Sequence, residues 1–133
     1  MTILHNTIEK FFEDKLQDLK CEASTKAYII SIYVKYKKAD FDLSKDSVGL
    51  LFLQARTKSN FLLYQNLGDW IFFCNTMAPG HLKNASKDYF DNIAKLSYYS
   101  CYKLINKQWK LFEELSDNFN ELESQVKIKL ITQ

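Results

Sequence analysis

The chain has 133 residues, with 18 basic and 16 acidic side chains and a formal net charge of +2. One domain spans about 100–200 residues, so residues 1–133 read as a single domain that can bury its own core. Three glycines and one proline are too few for a β-sandwich or barrel, which needs turn residues about every 8–12 positions, and for collagen-like or low-complexity chains.

Charge and addressing narrow the classes further. A charge of +2 does not by itself imply a nucleic-acid or acidic-substrate partner. Arg56 is the only arginine, and arginine is the usual residue for bidentate phosphate and base contacts. Cys21, Cys74 and Cys101 form no CxxC and no zinc spacing. That sparse, odd count suits a reducing compartment. The N-terminus has no basic region followed by an apolar one. The longest uncharged stretch, Trp70 to Leu82, holds Asn75, Pro79 and Gly80, whereas a membrane span needs about 18 or more apolar residues. The expectation is a cytoplasmic protein with no membrane partner.

Asn6 to Glu9 resembles a capping box, and Ile8, Phe11, Phe12, Leu16 and Leu19 recur at helical spacing. This predicts a first helix over 7–20. In 24–38, Tyr28, Ile30, Ile32, Val34 and Tyr36 alternate as in a strand. Ile29 and Tyr33 on the other parity are apolar too, and no partner strand follows. A buried helix is the preferred reading, with Lys35, Lys37 and Lys38 in its last turn, where cations favour the helix dipole. Asp40 to Ser44 reads as a polar connection. Asp42 or Ser44 can cap a third helix through about Thr57, with Val48, Leu51, Phe52 and Ala55 as its apolar stripe.

Ser59 or Asn60 can cap a fourth helix, Phe61 to about Thr76, which ends before Pro79-Gly80. A fifth starts at the N-cap Ser86 and runs to about Ile105. The last covers about 107–128; one long bent helix from Ser86 onward is the alternative. Phe112, Leu115, Phe119, Leu122 and Val126 step 3, 4, 3, 4, the seam of an amphipathic bundle helix. The fold expected is an all-α, single-domain, bundle-like array of five or six helices.

Several residues suggest chemistry. Asp69 is the one charge in 61–74, and a buried carboxylate needs a partner. Gly68 beside it costs about 1 kcal/mol in a helix interior relative to alanine, so it should mark a close approach. Ala94, Ser97 and Cys101 at i, i+3, i+7 offer a small-residue groove for that crossing, and Asp69 should meet a tyrosine hydroxyl or a backbone end. His81 follows Pro79-Gly80 in a loop, and His5 precedes the first helix. No Glu-x-x-His pair of the di-iron kind occurs, and two histidines cannot make a three-histidine zinc site. No metal and no cofactor are expected; a haem ligand at His81 is the remote alternative. Asp40, Asp42, Ser44 and Asp46 imitate a calcium loop, but Lys45 stands where glycine belongs and Leu51 where glutamate belongs. Tyr33 and Tyr36 interleave with lysines, as in single-strand nucleic-acid binders. Tyr89, Phe90, Tyr98, Tyr99 and Tyr102 crowd the fifth helix beyond what one buried stripe can use, and tyrosine favours interfaces. No nucleophile–base pair or glycine-rich phosphate loop is visible.

The order Ala27-Tyr28-Ile-Ile-Ser-Ile-Tyr-Val, Leu67-Gly68-Asp69-Trp-Ile-Phe-Phe, Pro79-x-x-Leu82, Asp88-Tyr89-Phe90 and Leu111-Phe-Glu-Glu-Leu-Ser-Asp-Asn-Phe119 resembles a family of small uncharacterised bacterial all-helical proteins. The likeness covers about residues 20–125 and departs at Asn75-Thr-Met-Ala. It implies a helix over 24–38 and a structural role for Gly68-Asp69, and no activity.

The function expected is a non-enzymatic protein–protein interaction or self-associating module, concretely a homodimer through the fifth or the terminal helix. One alternative is a small-ligand or cofactor pocket lined by aromatics, with Asp69, His81, Tyr98, Tyr99 or Tyr102 as binding residues and no catalytic residue. The other is single-strand nucleic-acid binding through Lys35, Lys37 and Lys38, against which the charge balance weighs.

Overall fold

The computed structural model describes residues 2–38, 47–83 and 85–131, the side chains of 2–6 and of 37–38 excepted. Seven α-helices follow one another: α1 (Thr2–Leu16), α2 (Ala23–Lys38), α3 (Val48–Lys58), α4 (Phe61–Met77), α5 (Lys87–Leu104), α6 (Lys110–Asp117) and α7 (Phe119–Ile131). A 3-10 turn, Pro79–His81, separates α4 from α5. No strand occurs among the described residues. The all-α expectation holds, with seven helices among the described residues rather than five or six.

The extra helix comes from a break at Asn118. Its backbone leaves helical geometry while its N–H still bonds Glu114 O at 2.9 Å and its carbonyl accepts from Leu122 N–H at 2.8 Å. Asp117-Asn118 are poor helix formers, because their side chains compete for the backbone. The break preserves the seam: Phe112, Leu115, Phe119, Leu122 and Val126 are all buried. The α5–α6 turn is sharper. Asn106 and Lys107 take φ of 57° and 61°, and the Lys107 N–H returns to Tyr102 O at 2.8 Å. A single helix from Ser86 onward is therefore excluded. No glycine marks this stop, which is why the sequence left it open.

Other ends correct or resolve the expectations. α1 starts at Thr2 rather than residue 7, so Asn6 and Glu9 lie inside it. A capping box marks a start only where the preceding backbone departs from helix, and residues 2–5 contain no helix breaker. The N-cap of α3 is Ser47, whose Oγ accepts from Leu50 N–H at 3.3 Å. Asp42, Ser44 and the calcium-like run 40–46 lie outside the described residues. Ser59 and Asn60 divide their work. Ser59 closes α3 in the left-handed region at φ 48°, and Asn60 caps α4 by accepting from Leu63 N–H at 3.1 Å. Ser86 caps α5 as expected, accepting from Tyr89 N–H at 3.2 Å.

α2 is a helix over its whole length, and both strand-like parities are buried: Ile29 and Tyr33 as well as Ile30, Ile32, Val34 and Tyr36. It packs against α1, α4 and α6, so a wide arc is covered. α4 is the axis of the molecule. Every residue from Leu67 to Asn75 is buried, and α2, α3, α5 and α7 surround it. A helix apolar on all sides belongs in the interior, and this one carries Asp69 there. Cys74 and Cys101 are buried, and the Cys101 thiol reaches Phe61 O at 3.7 Å.

Gly49, in the first turn of α3, has a cheap neighbour. A Cβ there would lie 2.7 Å from the Tyr89 hydroxyl, the end of a flexible side chain that is 44% exposed. Helical alanine is favoured over glycine by up to about 1 kcal/mol. Gly49→Ala should therefore raise stability by about 0.5 kcal/mol in urea melts. A loss of that size instead would show that Tyr89 is held in place.

Candidate functional site: a buried carboxylate among tyrosines

α4 turns Asp69 towards α2 and α5. Tyr98 of α5 donates to Oδ1 at 2.7 Å. The Tyr28 hydroxyl of α2 sits astride both oxygens, 2.9 Å from Oδ1 and 2.8 Å from Oδ2. Lys35 Nζ, also on α2, approaches Oδ2 at 3.3 Å. A second rank supports the first: Gln65 Nε2 donates to Tyr28 Oη at 2.9 Å, and Lys35 Nζ to Asn66 Oδ1 at 3.3 Å. Gln65 and Asn66 lie four and three residues before Asp69 on α4, and Tyr28 and Lys35 share a face of α2 at i, i+7. Six side chains thus tie three helices together.

Burial pushes the Asp69 carboxyl above its ordinary range, while the Lys35 charge and the Tyr98 and Tyr28 hydroxyls pull it back. Burial, then the neighbouring Asp69 charge, raises both tyrosines, so they stay protonated and remain donors. Both carboxylate oxygens are occupied by donors from the same chain, and Asp69 is 2% exposed. A general base needs an atom that a reactant can reach. This carboxylate is arranged to hold helices.

Gly68 makes the arrangement possible. A Cβ on it would lie 2.7 Å from Cε1 and Cζ of Tyr98. The close approach of α4 and α5 is present, but its filler is the Tyr98 ring. The expected small-residue groove of Ala94, Ser97 and Cys101 is buried on α5, and it is not what lies over Gly68.

The remaining candidates lie apart from Asp69. His81, in the 3-10 turn, is exposed and its ring lies 5.8 Å from that of Trp70 at 33°. Tyr99 and Tyr102 pair at 6.1 Å. Lys103 Nζ lies 5.6 Å over the Tyr99 ring; Lys110 Nζ lies 5.8 Å over the Tyr102 ring and 3.3 Å from its hydroxyl. So Asp69 and Tyr98 meet, Tyr99 and Tyr102 meet, and His81 joins neither pair. The Lys–Tyr segment of α2 also reads differently in three dimensions. Tyr33 is stacked on Phe12 at 5.0 Å with its hydroxyl on Thr76, and Tyr36 packs against Trp70 and Phe73. Buried rings are not offered to bases. Lys35 turns inward to Asp69.

A second polar cluster joins α4, α5 and α7, and sequence reading missed it. Asp91 accepts from Asn75 Nδ2 at 2.8 Å on Oδ1, and from Lys87 Nζ at 2.7 Å and Asn120 Nδ2 at 2.9 Å on Oδ2. Lys87 Nζ also reaches Glu123 Oε1 at 2.8 Å. Burial works against the Lys87 charge, but its hydrogen bonds to Asp91 and Glu123 win and hold it protonated. Glu123 is itself buried. Only the i, i+4 pair Lys87–Asp91 was visible in the sequence. Among the described residues no three His, Cys, Asp or Glu gather as a metal site, and no helix is long and apolar enough to cross a membrane.

No protein-family model, curated protein or solved structure matches the chain, so the reading of the site rests on its own geometry.

Proposed function

We propose that the protein is a cytosolic, non-enzymatic interaction module that pairs with a second copy of itself through the outer face of α5. The observation that carries this is the exposed stripe Tyr89, Asn92, Leu96, Tyr99 and Lys103, which steps 3, 4, 3, 4 along the helix. Its opposite face, with Phe90, Ile93, Ala94, Tyr98 and Cys101, is already buried in the bundle. The aromatic surplus of α5 thus divides into a core half and a solvent half, and tyrosine is apt for an interface centre.

The occupant is argued from charge. α5 carries Asp88 in its first turn and Lys103 in its last. In an antiparallel, two-fold pairing near Leu96 the same patch meets itself. Asp88 of each copy then faces Lys103 of the other, and Asn92 faces Tyr99. The occupied oxygens of Asp69 favour this reading over an enzyme.

Sedimentation equilibrium from micromolar to millimolar protein tests it. Wild type should show a concentration-dependent dimer, and Leu96→Gln should weaken it by roughly tenfold or more with unchanged helicity. A strict monomer at the highest concentration overturns the proposal.

A further inference from the structure

The α5–α6 turn presents a second surface. From Asn92 to Phe112 the chain carries Lys95, Lys103, Lys107 and Lys110 and no acid. Lys103 at the end of α5, Lys107 in the turn and Lys110 at the start of α6 are all exposed, and Lys110 Nζ lies 3.8 Å from Glu113 Oε1. Lys107 is held in the left-handed region at φ 61°, directly after Asn106 at φ 57°. Such strain in residues other than glycine is kept where the surroundings enforce it, and it gathers at functional segments. At the far side of the turn stands Trp109, 58% exposed. Its indole lies nearly parallel to the Phe112 ring, 6.3 Å away at 20°. More than half of the Trp109 side chain is open to solvent. Tyr99, under Lys103, is 40% exposed.

We infer that this turn binds single-stranded nucleic acid, with Lys103, Lys107 and Lys110 on phosphates and Trp109 stacking on a base. Ammonium groups alone would suit any polyanion. The flat, open indole of Trp109 in the same segment is what selects a polyanion that carries π-faces, and that combination is how single strands are held without sequence preference. The expectation that placed this chemistry on Lys35, Lys37 and Lys38 fails on the buried Tyr33 and Tyr36; the basic-aromatic mixture lies instead at the α5–α6 turn. Lys103 and Tyr99 also belong to the proposed pairing face. Leu96→Gln separates the two proposals, since it weakens pairing and leaves the three lysines and Trp109 in place.

The probe is a fluorescein-labelled 20-mer of thymidine, titrated with the full-length protein at low salt and followed by anisotropy. Binding should weaken with salt at a log–log slope of about −2, as three phosphate contacts on a single strand require. Tryptophan emission should fall on binding, because Trp109 is open while Trp70 is buried. Lys103→Gln with Lys107→Gln and Lys110→Gln should abolish the shift, and Trp109→Ala should weaken it roughly tenfold. Leu96→Gln should bind as well as wild type. The inference is overturned if the oligonucleotide does not bind at low salt, or if the triple variant binds normally. It is overturned equally if polyglutamate or anionic lipid vesicles bind as tightly with the same loss of emission, since the surface would then read charge or membrane and not bases.

Discussion

Asp69→Ala is expected to lower the stability of the protein by about 3–5 kcal/mol, the largest loss of any single polar substitution in the molecule. The missing carboxylate leaves the Tyr98 and Tyr28 hydroxyls without their acceptor and Lys35 without its counter-charge, and each unpaired buried group costs about 1–3 kcal/mol. For a chain of this length the midpoint should fall by about 10–15 °C in a thermal melt. Asp69→Leu combined with Tyr28→Phe and Tyr98→Phe should recover more than half of that loss, because no buried hydroxyl is then left without its acceptor. If the triple variant is as unstable as Asp69→Ala, the network is not what holds α2, α4 and α5 together. The pH dependence gives an independent reading. Burial raises the Asp69 carboxyl above its ordinary 3.8 despite Lys35 and the two hydroxyls. A group whose pKa is higher in the folded chain favours folding fully below its unfolded value and loses that contribution as pH rises through the folded value. The stability of wild type relative to Asp69→Asn should therefore grow as pH falls from the neutral range towards 3.8. A difference that shrinks on acidification would show that Lys35 outweighs burial.

Much of this was written in the residues, for identifiable reasons. The apolar seam of α6 and α7, the caps Asn60 and Ser86, and the tyrosine partner of Asp69 each follow from local spacing or from the rule that a buried charge is paired. The partners' identities were not legible. Tyr28 looked like core in a segment whose strand and helix patterns overlap, and its role depends on how α2 crosses α4, a distance of 41 residues along the chain. The Lys87–Asp91–Glu123 cluster failed for a related reason. Asp91 and Glu123 are ordinary helix-surface residues by composition, and only the meeting of α5 with α7 buries them. The breaks at Asn106-Lys107 and Asn118 carried no glycine or proline, so tertiary packing set them without punctuation in the sequence. Gly49 reads correctly only beside Tyr89.

Gly68→Ala should destabilise the protein by about 2–3 kcal/mol, although alanine is the better helix former by about 1 kcal/mol. The added methyl would stand 2.7 Å from two atoms of the Tyr98 ring. That ring cannot slide away. It is fully buried, its hydroxyl is held by Asp69 at 2.7 Å, and the tilted rings of Phe112 and Phe119 flank it with centroids 6.3 Å away. Overpacking of this kind costs about 1–3 kcal/mol, and a ring pushed aside also weakens the hydrogen bond to Asp69, worth about 1.5–3 kcal/mol to a charged acceptor. Gly68→Leu should exceed both and prevent cooperative folding. The decisive comparison is a double-mutant cycle with Tyr98→Ala, followed by urea unfolding. Once the ring is gone, Gly68→Ala should become neutral or stabilise by up to about 1 kcal/mol, giving a coupling of about 2–4 kcal/mol between the two positions. Additive losses would place the constraint on Gly68 in some other neighbour. A coupling of that size would show that a single hydrogen atom at position 68 is what lets α5 lay Tyr98 across α4 and complete the shell around Asp69.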